Sequence, residues 1–113
     1  MKIEERLQTI RSRFEEQEIS EDELMACYGA HKEITDLPGF IQHAKRIFPR
    51  LCCGVASAYL REVLGVGEVV QGHYGGNPHS FLMHDGILID ITADQYGGPS
   101  VYFGPLVPPW SKS

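Results

Sequence analysis

The apolar residues of this chain recur with helical spacing in the first half and with strand-like spacing in the second. Near the N-terminus they are Ile3, Leu7, Ile10 and Phe14. This spacing predicts an amphipathic helix over residues 2–17. Ser20 and Glu23 form a capping box that begins a short second helix, which is expected to end near Gly29. Asp36 precedes a third helix that is expected to run to about Phe48.

The second half predicts one buried helix followed by a sheet. Residues 53–64 are mostly apolar on two helical stripes, and Gly65 follows them in the position typical of a helix C-terminus. Strands are expected at about residues 67–74, 79–84, 87–92 and 100–103. Residues 72–77 overlap the end of the first strand, but they contain three glycines, which favours a mobile loop. The proline-rich tail is expected to be irregular. We therefore predict an α+β fold, as a single domain over residues 1–113 with a helical layer over residues 1–30.

Two apolar runs flank Asp85-Gly86, a pair that favours a two-residue type I′ hairpin. With Asp85 and Gly86 as the turn, His84 pairs with Ile87. Counting back places Phe81 opposite Asp90 and His79 opposite Thr92. Diagonal neighbours on one face lie within reach of long side chains. His79 and Asp90 are therefore expected to touch.

Asp90 lies in an apolar strand, where an ionised carboxylate is costly unless it is paired. His79 is the candidate partner, because a carboxylate that binds one imidazole nitrogen leaves the other free to act as a base. The alternative is structural: Asp90 binds backbone amides or the Thr92 hydroxyl at the strand end.

The candidate nucleophile is Cys53, at the start of the helix over residues 53–64. A thiol at a helix N-terminus has a lowered pKa, which enriches the nucleophilic thiolate. Helical phase does not separate Cys53 from Cys52, because each extends an apolar stripe of this helix.

The order His-x-aromatic, Asp-Gly and then apolar-Asp-x-Thr resembles the papain-like and transglutaminase-like cysteine enzymes. Residues 48–54, which include Leu51 and end in Cys53-Gly54, together with residues 90–96 are similar to small bacterial and phage proteins of this superfamily. The resemblance covers about residues 47–103. This sequence departs from the pattern at Phe81, where Trp is common, and at Leu51 and Cys52, which replace a smaller pair.

The resemblance implies a papain-like core in which Cys53 is the nucleophile, His79 the base and Asp90 the orienting acid. It implies hydrolysis or acyl transfer at an amide bond of a protein or peptide, by peptidase, glutamine deamidase or transglutaminase-like chemistry without a cofactor. The alternative is an inactive papain-like domain that serves as a binding or inhibitor module.

Composition narrows the possible partners. The net charge is −5, with 10 basic and 15 acidic residues, so nucleic acid is not expected as a ligand. No apolar run is long enough to span a bilayer, and the chain is expected to be soluble and cytoplasmic. The three cysteines fit a reducing compartment. They show no spacing typical of a zinc site, so no metal is expected.

Overall fold

The computed structural model describes residues 2–50 and 52–113, without the side chain of His31, and shows an α+β architecture. Leu51, part of the segment that carries the resemblance, lies outside the described residues. The helices are α1 (Ile3–Glu15), α2 (Glu21–His31), α3 (Leu37–Ile47) and α4 (Cys53–Leu64), and a short 3-10 helix spans Ala93–Tyr96. The strands are β1 (Glu68–Tyr74), β2 (Asn77–His84), β3 (Ile87–Asp90), β4 (Tyr102–Pro105) and β5 (Trp110–Lys112).

Side-chain caps and a glycine set several helix ends. The Ser20 side chain accepts a hydrogen bond from the backbone N–H of Glu23 at the start of α2. Asp36 caps α3 in the same way. Gly65 ends α4 in the left-handed conformation, with φ of 72°, and its N–H donates to the Arg61 carbonyl. The predicted helices are thus confirmed, although α2 continues to His31, two residues beyond the expected end at Gly29.

The five strands form one antiparallel sheet in the order β4-β3-β2-β1-β5. Asp85 and Gly86 join β2 to β3, and both have positive φ, 50° and 79°, as a type I′ turn requires. His84 pairs with Ile87 and Leu82 with Ile89, so the predicted register is confirmed.

The expectation of an irregular C-terminal tail is wrong. Residues 110–112 form β5, which pairs with β1. The sheet curls so that its two edge strands approach each other, and the Tyr102 ring of β4 stacks on the Trp110 ring of β5 at 4.2 Å between centroids. The C-terminal strand therefore helps to close the sheet.

Two strand boundaries and one predicted loop also differ from those expected. β3 ends at Asp90 and not at residue 92, because the Asp90 carboxylate accepts a hydrogen bond from the Thr92 backbone N–H and the chain turns there. β4 begins at Tyr102 and not at residue 100. The predicted loop at residues 72–77 is mostly strand, and only Gly75 and Gly76 form the turn between β1 and β2.

Alternate residues of the central hairpin face two different apolar clusters. Leu82, Ile89 and Ile91 pack with the buried residues of the four helices. Phe81 and Leu88 face the other side of the sheet, where they pack with Ala93 and Trp110. The expected burial of the hairpin on both faces is confirmed, and His79 and Asp90 lie within it. No helix in the described part of the chain is long and apolar enough to cross a membrane.

Candidate active site

The two adjacent cysteines at the start of α4 have different environments. Cys52 occupies the N-cap position and is fully buried, and burial raises the pKa of its thiol to about 12, with a smaller contribution from the Cys53 charge. Cys53, the first residue of α4, is partly exposed. The structure thus separates the two residues where helical phase could not: only Cys53 combines access with a thiol that ionises readily.

Opposing effects act on the Cys53 thiol. Burial, the largest effect, raises its pKa, whereas the nearby His79 side chain and the backbone of Ser80 lower it. The net pKa lies below the ordinary value of 9.0. The sulfur therefore lies against β2, at the point where His79 and Ser80 follow one another.

His79 extends from β2 with its side chain fully buried. Its Nε2 atom lies 2.6 Å from Oδ2 of Asp90, which confirms the predicted contact across the hairpin. Its Nδ1 atom is also buried and has no hydrogen-bond partner of good geometry among the described residues. The Cys53 sulfur is nevertheless near enough for the two groups to shift each other's pKa. Catalytic hydrogen bonds in unliganded sites are often long or poorly aligned.

Asp90 receives hydrogen bonds on both carboxylate oxygens. Oδ2 accepts from His79 Nε2 at 2.6 Å and from the Trp110 indole Nε1 at 2.9 Å. Oδ1 accepts from the Thr92 backbone N–H at 2.8 Å and lies 3.2 Å from the Thr92 hydroxyl. The bonds from Thr92 match the structural interpretation of Asp90, and the bond to His79 has the geometry that the catalytic interpretation requires.

These contacts favour one protonation state of Asp90 and His79. The indole and the backbone amide are donors only, and one of them lies on each carboxylate oxygen. An ionised Asp90 with a proton on His79 Nε2 satisfies both of these contacts and the 2.6 Å contact between the two side chains. Nδ1, on the side of Cys53, is left as the nitrogen that can exchange a proton with the thiol.

The charge on His79 follows from the same contacts. Burial, the largest effect, lowers its pKa, but the hydrogen bond with Asp90 and the nearby Cys53 sulfur outweigh it and raise the pKa from 6.5 to about 9. Because the pKa of Cys53 moves in the opposite direction, the two shifts together favour the thiolate–imidazolium pair over the neutral pair.

Aromatic side chains surround His79 and the start of α4. The rings of Tyr74 and Tyr96 stack on each other and meet His79 edge-on, with centroids 6.3 and 5.5 Å from the imidazole. The Tyr96 hydroxyl donates to the Pro78 carbonyl. Gly54 follows Cys53 directly, and a Cβ there would lie 3.0 Å from the ring of Tyr28. The glycine therefore lets Tyr28 pack against the start of α4.

A buried arginine fixes the chain just after Asp90. Arg11 of α1 donates to both carboxylate oxygens of Asp94 at 2.7 Å and to the Ile91 carbonyl at 2.7 Å. Its guanidinium also lies over the Phe48 ring, 4.6 Å from the centroid. This ion pair gives Asp94 a structural role.

Three other polar side chains, described next, lie outside the cluster of Cys53, His79 and Asp90. Gln42 contacts Glu21 on the surface, and Gln95 donates to the Thr92 carbonyl. His84 lies beside Asp85 in the exposed hairpin turn. Within the described residues, no three His, Cys, Asp or Glu side chains are grouped as metal ligands would be. A surface groove of about 530 Å³ lies along residues 29–37, and its lining includes none of Cys53, His79 and Asp90.

Comparison with known proteins gives no match, since no family model, curated protein or solved structure is significantly similar to this chain.

Proposed function

We propose that this chain is a cysteine-dependent hydrolase or acyltransferase that acts on an amide bond of a protein or peptide. Cys53 is the nucleophile, His79 the proton carrier and Asp90 the residue that orients the imidazole. The observation that carries the proposal is the state of His79: Asp90 holds its Nε2, while buried Nδ1 is left on the side of the thiol. This arrangement favours a papain-like or transglutaminase-like core, as the sequence resemblance implies.

The first half of the reaction forms a thioester. The Cys53 thiolate attacks the amide carbonyl carbon, a C–S bond forms, and the carbonyl oxygen becomes an oxyanion. The backbone N–H of Cys53 is the proposed donor to that oxygen, because the first amides of a helix have no partner within the helix. His79 then gives its Nδ1 proton to the leaving nitrogen as the C–N bond breaks.

The second half returns the enzyme to its starting state. Water or an amine attacks the thioester carbonyl while His79 Nδ1 takes its proton. The C–S bond then breaks and releases the acyl product and the Cys53 thiolate. Water as the acceptor gives hydrolysis or deamidation, and an amine gives transfer, so all three outcomes use the same residues.

Site-specific alkylation is the first test. The protein is treated with iodoacetamide at pH 7, and mass spectrometry measures the modified fraction separately at Cys27, Cys52 and Cys53. Cys53 should react fastest, because burial raises the pKa of both other thiols. Cys52→Ala is the matched control and should leave the reaction at Cys53 unchanged. A Cys53 thiol that reacts more slowly than in the unfolded chain contradicts the proposal and favours the binding module.

Turnover is the second test and identifies the acceptor. An unstructured polypeptide reports cleavage, a glutamine-containing peptide reports ammonia release, and the same peptide with a primary amine reports transfer. Any of the three activities should be lost in Cys53→Ala and kept in Cys52→Ala. Activity that survives Cys53→Ala rules out the assigned nucleophile.

A further inference from the structure

The C-terminal strand brings the chain's single tryptophan to the candidate active site. Trp110 is only 5% exposed, and its indole N–H donates to Asp90 Oδ2, the oxygen that also binds His79 Nε2. The sequence separates Trp110 from Asp90 by 20 residues, so the contact depends on the pairing of β5 with β1.

We propose that Trp110 is a positioning residue of the site, whose indole N–H fixes the Asp90 carboxylate and limits the negative charge that this carboxylate presents to His79. The mechanistic part of this inference rests on the function proposed above. The part that concerns Asp90 and His79 applies whether or not the chain is an enzyme.

The packing of the indole makes this contact rigid. Its ring stacks on Tyr102 of β4 at 4.2 Å and meets Tyr74 of β1 edge-on at 5.0 Å between centroids. The indole, on the edge strand β5, is therefore held between a ring of the opposite edge strand β4 and a ring of the neighbouring strand β1. The N–H is consequently aimed at Asp90 by strands that do not carry any of the three proposed catalytic residues.

The effect on His79 follows from the sharing of one oxygen. Two donors on Oδ2 divide its negative charge, so each hydrogen bond is weaker than it would be alone. Oδ1 is held separately by Thr92, and the carboxylate should therefore keep its orientation when the indole N–H is removed. The full charge of Oδ2 would then act on His79 and stabilise the imidazolium.

His79 has several titratable neighbours that any measurement must separate. Cys53 faces it from α4, Tyr74 from β1, Asp90 from β3 and Tyr96 from the 3-10 helix. A direct readout of the imidazole is therefore needed, and nitrogen NMR of the His79 ring gives it.

Trp110→Phe is the test variant, because phenylalanine keeps an aromatic ring but has no N–H. We expect its His79 pKa to rise by about half a unit to one unit, the size expected when one hydrogen bond near an ionised group is lost. The rate of Cys53 alkylation should change a second time as His79 loses its proton, and the pH of that second inflection should rise together with the His79 pKa. Tyr102→Phe is the matched control, since it removes a hydroxyl that donates to the Pro105 carbonyl and keeps the ring against Trp110. An unchanged or lowered His79 pKa in folded Trp110→Phe overturns the proposal.

The wild-type protein supplies a second test that does not depend on the variant folding. Its single indole N–H resonance should exchange slowly with solvent, and it should shift between pH 7 and 10 with the same midpoint as His79. An indole N–H that exchanges rapidly or is insensitive to the His79 titration also overturns the proposal. If Cys53 is unreactive while the indole still follows His79, the proposed function fails and the role of Trp110 in holding Asp90 stands.

Discussion

Asp90→Asn is the change that most directly tests the network around His79. Asparagine has nearly the same shape as aspartate but replaces one oxygen with an NH₂ group. Both Asp90 oxygens face donors, so this NH₂ must point at a donor wherever it is placed. The less costly orientation keeps the amide oxygen toward His79 and Trp110 and turns the NH₂ toward Thr92.

The expected loss of stability follows from that orientation. The Thr92 hydroxyl can rotate to accept from the NH₂, but the Thr92 backbone N–H cannot and is left buried without a partner. An unsatisfied buried donor costs about 1–3 kcal/mol, and hydrogen bonds to a charged group are worth about 1.5–3 kcal/mol. We expect a net loss of about 2–3 kcal/mol, or roughly 10–15 °C in Tm for a chain of this size. Cys53→Ala should cost about 1 kcal/mol or less, since it removes one small group at a helix end.

The same substitution should also remove the charge on His79. Without the Asp90 carboxylate, burial becomes the dominant effect, and the His79 pKa should fall well below about 9. Alkylation of Cys53 at pH 7 should then slow by about tenfold or more, because the rate follows the thiolate fraction.

Thermal unfolding and the Cys53 alkylation rate are measured on the same samples. Asp94→Asn is the matched control: it makes the same chemical change in the ion pair with Arg11, and should reduce Tm while leaving alkylation unchanged. If Asp90→Asn has a normal Tm, or if its Cys53 is alkylated as fast as in the wild type, the interpretation is wrong that both Asp90 oxygens accept hydrogen bonds and that the carboxylate keeps His79 protonated.

Three further outcomes are expected. The wild-type alkylation rate at Cys53 should rise with a midpoint below 9.0 and show a second inflection near 9 as His79 loses its proton, and a single midpoint at or above 9.0 would contradict the ion pair. The stabilisation from the raised His79 pKa is fully present below pH 6.5 and is lost as pH rises through about 9, whereas the lowered Cys53 pKa acts in the opposite direction. Cys53→Ala removes that opposing contribution together with one of the groups that raise the His79 pKa. Urea unfolding at several pH values should therefore show a steeper loss of stability above pH 6.5 than in the wild type, smaller than about 3 kcal/mol and complete below pH 9. Gly72→Ala places a Cβ against the Ser111 carbonyl, so it should displace β5 and expose the indole, and an unchanged fluorescence spectrum would argue against this.

Local sequence signals were sufficient for the central hairpin. Asp85-Gly86 determines the turn, and the turn determines the register that brings His79 to Asp90. The extent of α4 was also predictable, because the apolar stripes indicate the helix and Gly65 its end. Each of these features depends on residues close together in the chain.

The features that were missed depend on contacts between distant residues. β5 has only three residues and follows a proline-rich segment, so no periodicity indicates it, and it exists because β1 offers an edge. The Arg11–Asp94 pair joins residues 83 positions apart, and neither residue shows its partner in the sequence. Helical phase likewise could not separate Cys52 from Cys53, because the difference between them is their burial, which neighbouring sequence does not determine.

The parts of the candidate site that depend on distant contacts are the parts most sensitive to the rest of the fold. The hairpin alone brings Asp90 to His79, and an ionised carboxylate in an apolar layer is stabilised further by each donor that the rest of the fold supplies. Thr92 fills one side from the adjacent turn, and Trp110 fills the other from a strand that forms only when the sheet curls closed. The charge state of His79, and with it the reactivity of Cys53, should therefore depend on complete folding of the C-terminal strand.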